Sequence, residues 1–323
     1  MRKLAILDDY QGVALQFADW SAVGAAADIT VFREAFKSEQ QIAQALSGFE
    51  MVCLMRERTP FPASLIEKLP ALNFIGVTGP HNRVLDLAAA RKHHIVVSCT
   101  RGGASEFPTT ELTWALILAA ARHLPQEDRA LRAGAWQTTI GVTLHGRTLG
   151  LLGFGRIGQR VASIGNAFGM KVIAWSPNLT PERAAGGGAT YVSKDELLSQ
   201  SDVLSLHMVL SDKSRGIVGA DEFKKMRPDA ILVNSSRGPL VEEQALLAAL
   251  KSQRIRAAAL DVFDQEPPPL DHPLRILDNV VLTPHLGYVT EEVYSTFFND
   301  TVKNALAYLA GRPIRLLQPE DQA

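Results

Sequence analysis

Short apolar runs alternate with longer polar or amphipathic segments along most of the chain. In the first hundred residues the runs include KLAIL, MVCLM, NFIGV and HIVVS, and segments with helical spacing, such as SEQQIAQALSGF, separate them. Runs that are apolar on both faces and alternate with helices are typical of parallel strands covered by helices. The pattern therefore predicts an α/β fold.

The alternation starts again at Gly150, where LGLLGF, KVIAW, DVLSLHM, AILVNSS, AAALDVF and NVVLTPH are further predicted strands. A second series of this kind indicates a second α/β unit. We therefore expect two doubly wound parallel-sheet domains, one flavodoxin-like and one Rossmann-like, with the active site in the cleft between them. The predicted boundaries give one domain from residues 1–101 and 286–323 and another from residues 102–285.

A nearly all-apolar helix, EFPTTELTWALILAAARHL, lies at the first boundary. A helix that is apolar on every side has to be buried. It could span the two units or pack in a subunit interface, and its stretch Leu112–Leu124 leads us to predict a homodimer. The tail TEEVYSTFFNDTVKNALAYLAG is predicted to form a helix that belongs to the first domain.

Composition excludes several classes of partner. The 323 residues carry 33 Lys and Arg against 34 Asp and Glu, so no overall field attracts nucleic acid or an anionic membrane. The longest apolar run is far shorter than the about 20 residues of a membrane helix, and Asp8 and Asp9 interrupt any signal peptide. Cys53 and Cys99 lack C-x-x-C spacing, and no histidine pair has the spacing of metal ligands. We expect a cytoplasmic protein with reduced thiols and no metal.

The stretch LLGFGRIGQRV carries a dinucleotide-binding pattern. Gly153, Gly155 and Gly158 have the G-x-G-x-x-G spacing, after a predicted strand and before a helix that opens at Arg156 and Ile157. Such glycines allow a tight turn, a close approach of backbone to pyrophosphate, and close packing of helix on strand. The N–H groups at the start of the helix favour a bound phosphate.

The next strand lacks the acidic residue that usually holds the adenosine ribose. KVIAW ends in Ser176, Pro177 and Asn178, with Arg183 one helical turn or so beyond. A carboxylate at this place binds the ribose hydroxyls and repels a 2′-phosphate. Ser176 can accept a hydrogen bond but repels nothing, and Arg183 could reach a 2′-phosphate or lie on a solvated helix face. The sequence thus predicts NAD or NADP, with dual use open.

Three later strands end in residues suited to acid–base chemistry on a carbonyl compound. VNSSRGPLV contains Arg237, LDVFDQEP contains Asp261 and Glu266, and LTPHLGYVT contains His285. Open α/β sheets bind their ligands at the carboxyl ends of strands. A guanidinium binds a carboxylate with two hydrogen bonds, and an imidazole beside a carboxylate can exchange a proton near neutral pH.

With these motifs in order, the sequence resembles the D-isomer-specific 2-hydroxyacid dehydrogenases over nearly the whole chain. The strongest parts are LHGRTLGLLGFGRIG, VNSSRGPLV, ALDVFDQEP and VVLTPHLGYVT. The resemblance implies an oxidoreductase that transfers a hydride between a nicotinamide cofactor and C2 of a small D-2-hydroxy acid or 2-keto acid. Residues 102–285 would bind the cofactor and the other domain the substrate.

The resemblance also implies roles for individual residues. His285 would be the acid–base residue, Glu266 its charged partner, and Arg237 the group that holds the substrate carboxylate and carbonyl. Arg58 would meet a distal substrate group, and Thr78 and Gly79 would offer backbone N–H groups to the substrate carboxylate. Asp261 would approach the nicotinamide carboxamide, and the other expected cofactor contacts, besides the glycine turn and Ser176, are His207, Ser236 and Gly287.

Departures from the family pattern leave the substrate open. The stretch PHNRVLDLAAA is two residues longer than usual, Val209 stands where proline is common, and Tyr288 where a smaller residue is common. Two alternatives remain: an NAD-binding regulatory protein on the same fold, and a formate dehydrogenase. A regulatory protein would not need Arg237, Glu266 and His285, all of which this chain has. Formate dehydrogenases have Gln in place of the glutamate, so Glu266 argues against a formate dehydrogenase.

Overall fold

The computed structural model describes residues 1–322 of the chain. Within them, every pair of hydrogen-bonded neighbouring strands in the two sheets is parallel. The first of two compact units comprises Met1–Ala104 and the chain from Thr290 onward, and the second is Ser105–Val289. The predicted fold class, α/β with two parallel-sheet domains, is confirmed.

The first unit is built on a sheet in the order β2-β1-β3-β4-β5, the order of flavodoxin-like folds. Its strands are β1 (Arg2–Ile6), β2 (Ala27–Val31), β3 (Met51–Leu54), β4 (Phe74–Val77) and β5 (Val96–Cys99). Every residue of β3 and β4 is buried, as their unbroken apolar sequences predict. The helices between the strands are α1 (Ser21–Gly24), α2 (Glu39–Ala45), α3 (Ala63–Ile66) and α4 (Leu87–Lys92).

The second unit has a sheet in the order β12-β11-β10-β9-β6-β7-β8. Its elements in chain order are α5 (Glu106–Arg122), α6 (Leu124–Arg132), β6 (Thr148–Leu152), α7 (Arg156–Ala167), β7 (Lys171–Trp175), α8 (Pro181–Gly186), β8 (Thr190–Tyr191), α9 (Lys194–Gln200), β9 (Val203–Leu206), α10 (Ala220–Lys225), β10 (Ile231–Asn234), α11 (Glu243–Lys251), β11 (Ala257–Leu260) and β12 (Val280–Leu282). The strand order reverses between β6 and β9, which opens a crevice at the carboxyl ends of these strands.

The long apolar helix α5 belongs wholly to the second unit, so the expectation that it could span both units is wrong. One face is buried in the core of this unit, and its Trp114 stacks on the exposed Phe168 with ring centroids 4.8 Å apart. Leu112 and Leu118, on other faces, are only partly buried. The helix therefore has more apolar residues than its own unit buries.

Helix α12 (Glu291–Leu309) packs in the first unit, with Phe297 and Phe298 fully buried. The buried Asp300 accepts hydrogen bonds from Arg101 Nε and Arg315 Nη2, both at 2.9 Å. Burial alone would raise the pKa of Asp300, but the hydrogen bonds and charges of the two arginines together lower it below the ordinary value. Within residues 1–322, none of the helices combines the length and apolarity needed to cross a membrane.

Candidate active site

The dinucleotide-binding turn joins β6 to α7 at the reversal of the strand order. Gly153 has φ +102°, and a Cβ there would lie 2.5 Å from the carbonyl oxygen of His207, so only glycine fits without a backbone shift. A Cβ on Gly158 would lie 2.6 Å from the carbonyl oxygen of Gly153. At Gly155, among the described residues, the Cβ position has no contact within 4 Å, so the turn is open where a phosphate is expected.

Other residues predicted to contact the cofactor border this turn. Arg156 and Ile157 open α7, whose first N–H groups have no acceptor within the helix. His207 follows β9, and burial lowers the pKa of its imidazole to about 4, so the ring is neutral at neutral pH. The hydroxyl of Ser236 donates a hydrogen bond of 2.8 Å to the carbonyl of Leu206, which ties the end of β9 to the loop after β10.

The histidine and the glutamate of the predicted acid–base pair are in direct contact. Nδ1 of His285 and Oε2 of Glu266 are 2.5 Å apart, and the two side chains are only 20% and 24% exposed. The second carboxylate oxygen of Glu266 accepts a hydrogen bond of 3.0 Å from the amide of Phe263. Tyr288, which is buried, meets the imidazole edge to face at 5.7 Å. The imidazole is thus held by a carboxylate and by an aromatic ring.

The loop that carries His285 is fixed by a carboxylate at the end of the neighbouring strand. His285 itself has φ +56°, an uncommon conformation for a residue other than glycine. The buried Asp261 accepts hydrogen bonds from the hydroxyl of Thr283 at 2.6 Å and from the amides of Leu286 at 2.7 Å and Gly287 at 3.0 Å. Burial raises the pKa of Asp261 despite these bonds. Contact of Asp261 with the cofactor stays a prediction, and the structure adds this bracing of the loop.

The loop that carries Arg237 is shaped by the buried side chain of Asn234, the last residue of β10. Its amide nitrogen donates a hydrogen bond of 2.8 Å to the carbonyl of Arg237, and its oxygen accepts one of 3.1 Å from the amide of Ser236. The guanidinium of Arg237 donates a hydrogen bond of 2.7 Å to the carbonyl of Ser236. Asn234 therefore sets the path of the chain on both sides of the arginine.

Gly238 brings the arginine loop against the segment that leads to the glutamate. A Cβ on Gly238 would lie 2.1 Å from the carbonyl carbon of Phe263 and 2.6 Å from the amide nitrogen of Asp264. Such contacts are with backbone atoms, so any side chain at this position would push the two segments apart. The glycine thereby couples the positions of Arg237 and Glu266.

The first unit contains the predicted substrate residues at the end of β4. The amide of Thr78 donates to the carbonyl of Leu54 at 3.1 Å, which continues the pairing of β3 with β4, and the amide of Gly79 donates to Oγ1 of Thr100 at 2.7 Å. Both N–H groups have acceptors within this unit, and their contact with a substrate carboxylate stays a prediction. The guanidinium of Arg56 lies over Gly79, where a Cβ would be 1.6 Å from its Nη1.

Arg58 lies in the same unit, with its guanidinium 5.2 Å from the ring centroid of Tyr10. The hydroxyls of Tyr10 and Thr59 donate hydrogen bonds to the buried carboxylate of Asp8, at 3.1 and 2.7 Å. Burial raises the pKa of Asp8, against the lowering effect of these bonds and of the charge of Arg58. In the longer loop that follows β4, Asn82 is fully buried and donates to a backbone carbonyl, so it serves the fold.

Three residues that are not among the predicted site residues hold the loops of Arg237 and His285. Asn234 and Thr283 act through hydrogen bonds, and so does Thr109, whose hydroxyl donates to the carbonyl of Gly287 at 2.8 Å. An asparagine that ends a buried strand, two residues before SRG, is a usable signal, because a buried amide must find partners. Within residues 1–322, no three His, Cys, Asp or Glu side chains form a group that could hold a metal ion.

The geometry of the glycine turn fits a bound dinucleotide. The turn leaves an open space at Gly155, and the helix that starts there presents amides to it. Residues 114–287 match the family model described as the NAD binding domain of D-isomer specific 2-hydroxyacid dehydrogenases.

Known proteins resemble the chain well beyond this domain. The glyoxylate reductase of Aeropyrum pernix is 38% identical over 283 residues, which cover 85% of this chain and 84% of that protein. A phosphoglycerate oxidoreductase from Vibrio cholerae O395 has a solved structure with a TM-score of 0.90 and 38% identity, covering 96% of this chain and 100% of that chain.

A third similar protein contains the phosphorylated cofactor. The solved acyclic imino acid reductase (Bsp5) in complex with NADPH and D-Arg has a TM-score of 0.73 and 29% identity over 98% of this chain and 99% of that chain. The chain spans about half the length of the curated D-3-phosphoglycerate dehydrogenases that it matches.

The expectations of family, enzyme class and nicotinamide cofactor are confirmed by these similarities. The family model covers more than half of the chain, and the relatives extend the match over most of the remainder. The chain belongs to the D-isomer-specific 2-hydroxyacid dehydrogenase family, with its NAD-binding domain at residues 114–287.

Proposed function

We propose that the protein reduces a small 2-keto acid to the D-2-hydroxy acid, and catalyses the reverse oxidation, with His285, Glu266 and Arg237 as the catalytic residues. The observation that carries this proposal is the contact of 2.5 Å between the ring of His285 and the carboxylate of Glu266, at the carboxyl ends of the sheet. A nicotinamide cofactor, when bound, supplies or accepts the hydride.

His285 serves as the acid in the direction of reduction. Because Glu266 is an acceptor when ionised, Nδ1 of the imidazole carries the proton that lies between the two groups. Nε2 is then the nitrogen that passes a proton to the substrate oxygen, and the negative charge of Glu266 stabilises the imidazolium form. In the oxidation direction the neutral ring takes the proton from the hydroxyl group.

Arg237 binds the substrate carboxylate and polarises the adjacent carbonyl. A guanidinium suits both tasks, since its planar set of donors can reach a carboxylate and a carbonyl oxygen together. The bracing of its loop by Asn234, and the backbone contact through Gly238, support a fixed position for this group relative to Glu266.

The glycine turn and its neighbours hold the cofactor in this proposal. Gly153, Gly155, Gly158 and the start of α7 receive the pyrophosphate. The remaining contacts are proposed for the residues that border the turn and the catalytic loops, namely Arg156, Ile157, Ser176, His207, Ser236, Asp261 and Gly287. The role of Arg58 toward a distal substrate group stays a prediction.

Steady-state rates over a set of 2-keto acids test the function. Glyoxylate, hydroxypyruvate and pyruvate are offered to the protein with NADH and, separately, with NADPH, and oxidation of the cofactor is recorded. We expect turnover of at least one keto acid, which would separate the enzyme from a regulatory protein on the same fold. Cofactor binding without turnover of any 2-keto acid would contradict the proposal, and reduction of NAD by formate alone would favour a formate dehydrogenase.

We also propose a homodimer that buries an apolar surface of the second unit. Four large side chains between α5 and β6 are strongly exposed in the single chain: Leu124 (53%), Leu131 (59%), Trp136 (77%) and Ile140 (90%). Exposed apolar surface of this size is typical of an interface, and closed dimers are the commonest assembly. Light scattering should give twice the mass of the chain, and Trp136→Ser should weaken the dimer. A wild-type monomer at micromolar concentration would contradict this.

The remaining proposals on partners and location rest on composition. We propose no role for nucleic acid, membrane or metal, and a cytoplasmic location. The nearly balanced charge, 33 basic against 34 acidic side chains, supports the first two of these.

A further inference from the structure

The loop that follows β7 lies directly beside the dinucleotide turn. The amide of Gly153 donates a hydrogen bond of 2.8 Å to the carbonyl of Trp175, the last residue of β7. Further along, Gly187 packs on the side chain of Phe154, since a Cβ there would lie 2.5 Å from the phenyl ring. The segment from Ser176 to Gly187 therefore wraps around the turn, at the place where the adenosine ribose of a dinucleotide lies in this fold.

The polar side chains at the start of this loop are neutral. Ser176 is half-buried, Asn178 is exposed, and a hydrogen bond of 3.1 Å from the amide of Leu179 to the carbonyl of Ser176 closes a turn between them. The carboxylate that would bind both ribose hydroxyls and repel a 2′-phosphate is missing from this turn. The loop thus lacks the group that selects NAD.

A guanidinium is folded back onto the same loop. Nη1 of Arg183, in the first turn of α8, donates a hydrogen bond of 2.9 Å to the carbonyl of Asn178. Within residues 1–322, no carboxylate lies within ion-pair distance of this guanidinium, so its charge is available to a ligand. Arg183 is exposed, and this hydrogen bond brings its guanidinium to the loop that follows β7.

One acidic residue, Glu182, is next to Arg183 in the chain and would repel a bound anion. The carboxylate of Glu182 interacts with its own backbone amide and with the side chain of Thr180, and these interactions lower its pKa, so it is charged at neutral pH. The carboxylate is thus engaged at the N-terminus of α8, while the guanidinium of Arg183 reaches back to Asn178. The positive group is the one that contacts the loop.

From this arrangement we infer that Arg183 and Ser176 bind the 2′-phosphate of NADP(H), so that the protein prefers NADP(H) to NAD(H). The inference rests on the proposed function, of which it specifies the cofactor. The guanidinium donates two hydrogen bonds to phosphate oxygens, as its planar geometry allows, and the hydroxyl of Ser176 donates a third. Glu182 reduces the preference through its charge without abolishing it.

Binding of small nucleotides tests the inference without turnover. Dissociation constants of 2′,5′-ADP and 5′-AMP, which differ only in the 2′-phosphate, are measured by calorimetry, together with those of NADPH and NADH. The wild type should bind 2′,5′-ADP and NADPH more tightly than their partners. Arg183→Ala should weaken the two 2′-phosphorylated ligands by about 10- to 100-fold, the range for a charged hydrogen bond, and the others by less than about threefold.

Two more variants and a control complete the experiment. Ser176→Asp should shift the preference toward NADH by about 10- to 100-fold, because it restores the repelling charge. Glu182→Gln should strengthen binding of 2′,5′-ADP. Arg312→Ala removes an exposed arginine of the first unit and should change none of the four constants. Circular dichroism confirms that each variant is folded.

The outcomes separate this inference from the proposed reaction. Equal affinity of Arg183→Ala and wild type for 2′,5′-ADP, or a wild type that rejects NADPH by about a thousandfold, would overturn the role of Arg183 and leave keto-acid reduction by NADH intact. Selective, Arg183-dependent binding of 2′,5′-ADP by a protein that turns over no 2-keto acid would support the site and contradict the reaction.

Discussion

Replacement of Glu266 by Gln removes the negative charge next to the imidazole of His285. The glutamine has nearly the same size, and its oxygen can still accept the hydrogen bond that the amide of Phe263 donates at 3.0 Å. The negative charge at 2.5 Å from Nδ1 of His285 is lost. The variant therefore keeps the size of the side chain and removes the charge together with the acceptor of the Nδ1 proton.

The size of the effect follows from the geometry of the pair. Two unit charges about 4 Å apart interact by about 4 kcal/mol at an effective dielectric constant of about 20. Both side chains are about one-fifth exposed, so solvent screens part of this energy. A net loss of about 1.5–3 kcal/mol, typical of a hydrogen bond to a charged group, corresponds to a decrease of about 10- to 150-fold in kcat/KM for keto-acid reduction at neutral pH.

The assay compares the two proteins at neutral pH. Initial rates of NADPH or NADH oxidation with the best keto acid, recorded over a range of keto-acid concentrations, give kcat/KM for the wild type and for Glu266→Gln.

Asp264→Asn is the matched control, because it removes a carboxylate two residues away that has no hydrogen bond to His285. Its kcat/KM should stay within about threefold of the wild type. If Glu266→Gln also stayed within about threefold of the wild type at neutral pH, the charge of Glu266 would have no part in the proton transfer.

The remaining predictions concern Arg237, the glycine that follows it, and the first unit. Arg237→Lys should raise KM and lower kcat together, because a point charge cannot replace the planar donors, whereas a change in KM alone would deny polarisation of the carbonyl. Gly238→Ala should lower kcat at least ~10-fold with an unchanged dissociation constant for the cofactor, since the methyl group meets the backbone of Phe263 at 2.1 Å; wild-type kcat would contradict the coupling of the two loops. Asp300→Asn should lower the free energy of unfolding of the first unit by about 1–3 kcal/mol at neutral pH, measured with urea. Because the pKa of Asp300 is lowered in the folded protein, this difference should be full above the ordinary value of 3.8 and vanish as the pH falls through the folded pKa; a constant difference would contradict the role of its ion pairs.

Strand patterns predicted the two sheets because buried parallel strands leave unbroken apolar runs. The edge strand β8, Thr190–Tyr191, was not predicted, since two exposed residues carry no such signal. The surroundings of α5 were predicted only in part. Its apolar residues indicate burial, but a sequence does not say whether its own unit or a second chain covers each face.

Candidate site residues could be predicted from the sequence where a residue type has few other uses, as for the glycine turn and the pair of His285 and Glu266. Supports formed by hydrogen bonds between distant residues leave no local pattern, as for Thr109, which lies 178 residues before its acceptor. Asn234 differs, because it bonds within its own loop and its place at the end of a buried strand is a usable signal. The hydrogen bond from the amide of Gly79 to the hydroxyl of Thr100, just after β5, likewise shows no local pattern in the sequence.

In the proposed reaction, His285 supplies the proton for the reduction of a 2-keto acid. The most direct test measures the rate of keto-acid reduction by the wild type and by His285→Asn, together with the dissociation constant of the reduced cofactor for each. We expect a decrease of at least ~10²-fold in kcat with an unchanged dissociation constant, because general acid catalysis is lost while the glycine turn is intact. A variant that keeps wild-type turnover would contradict it.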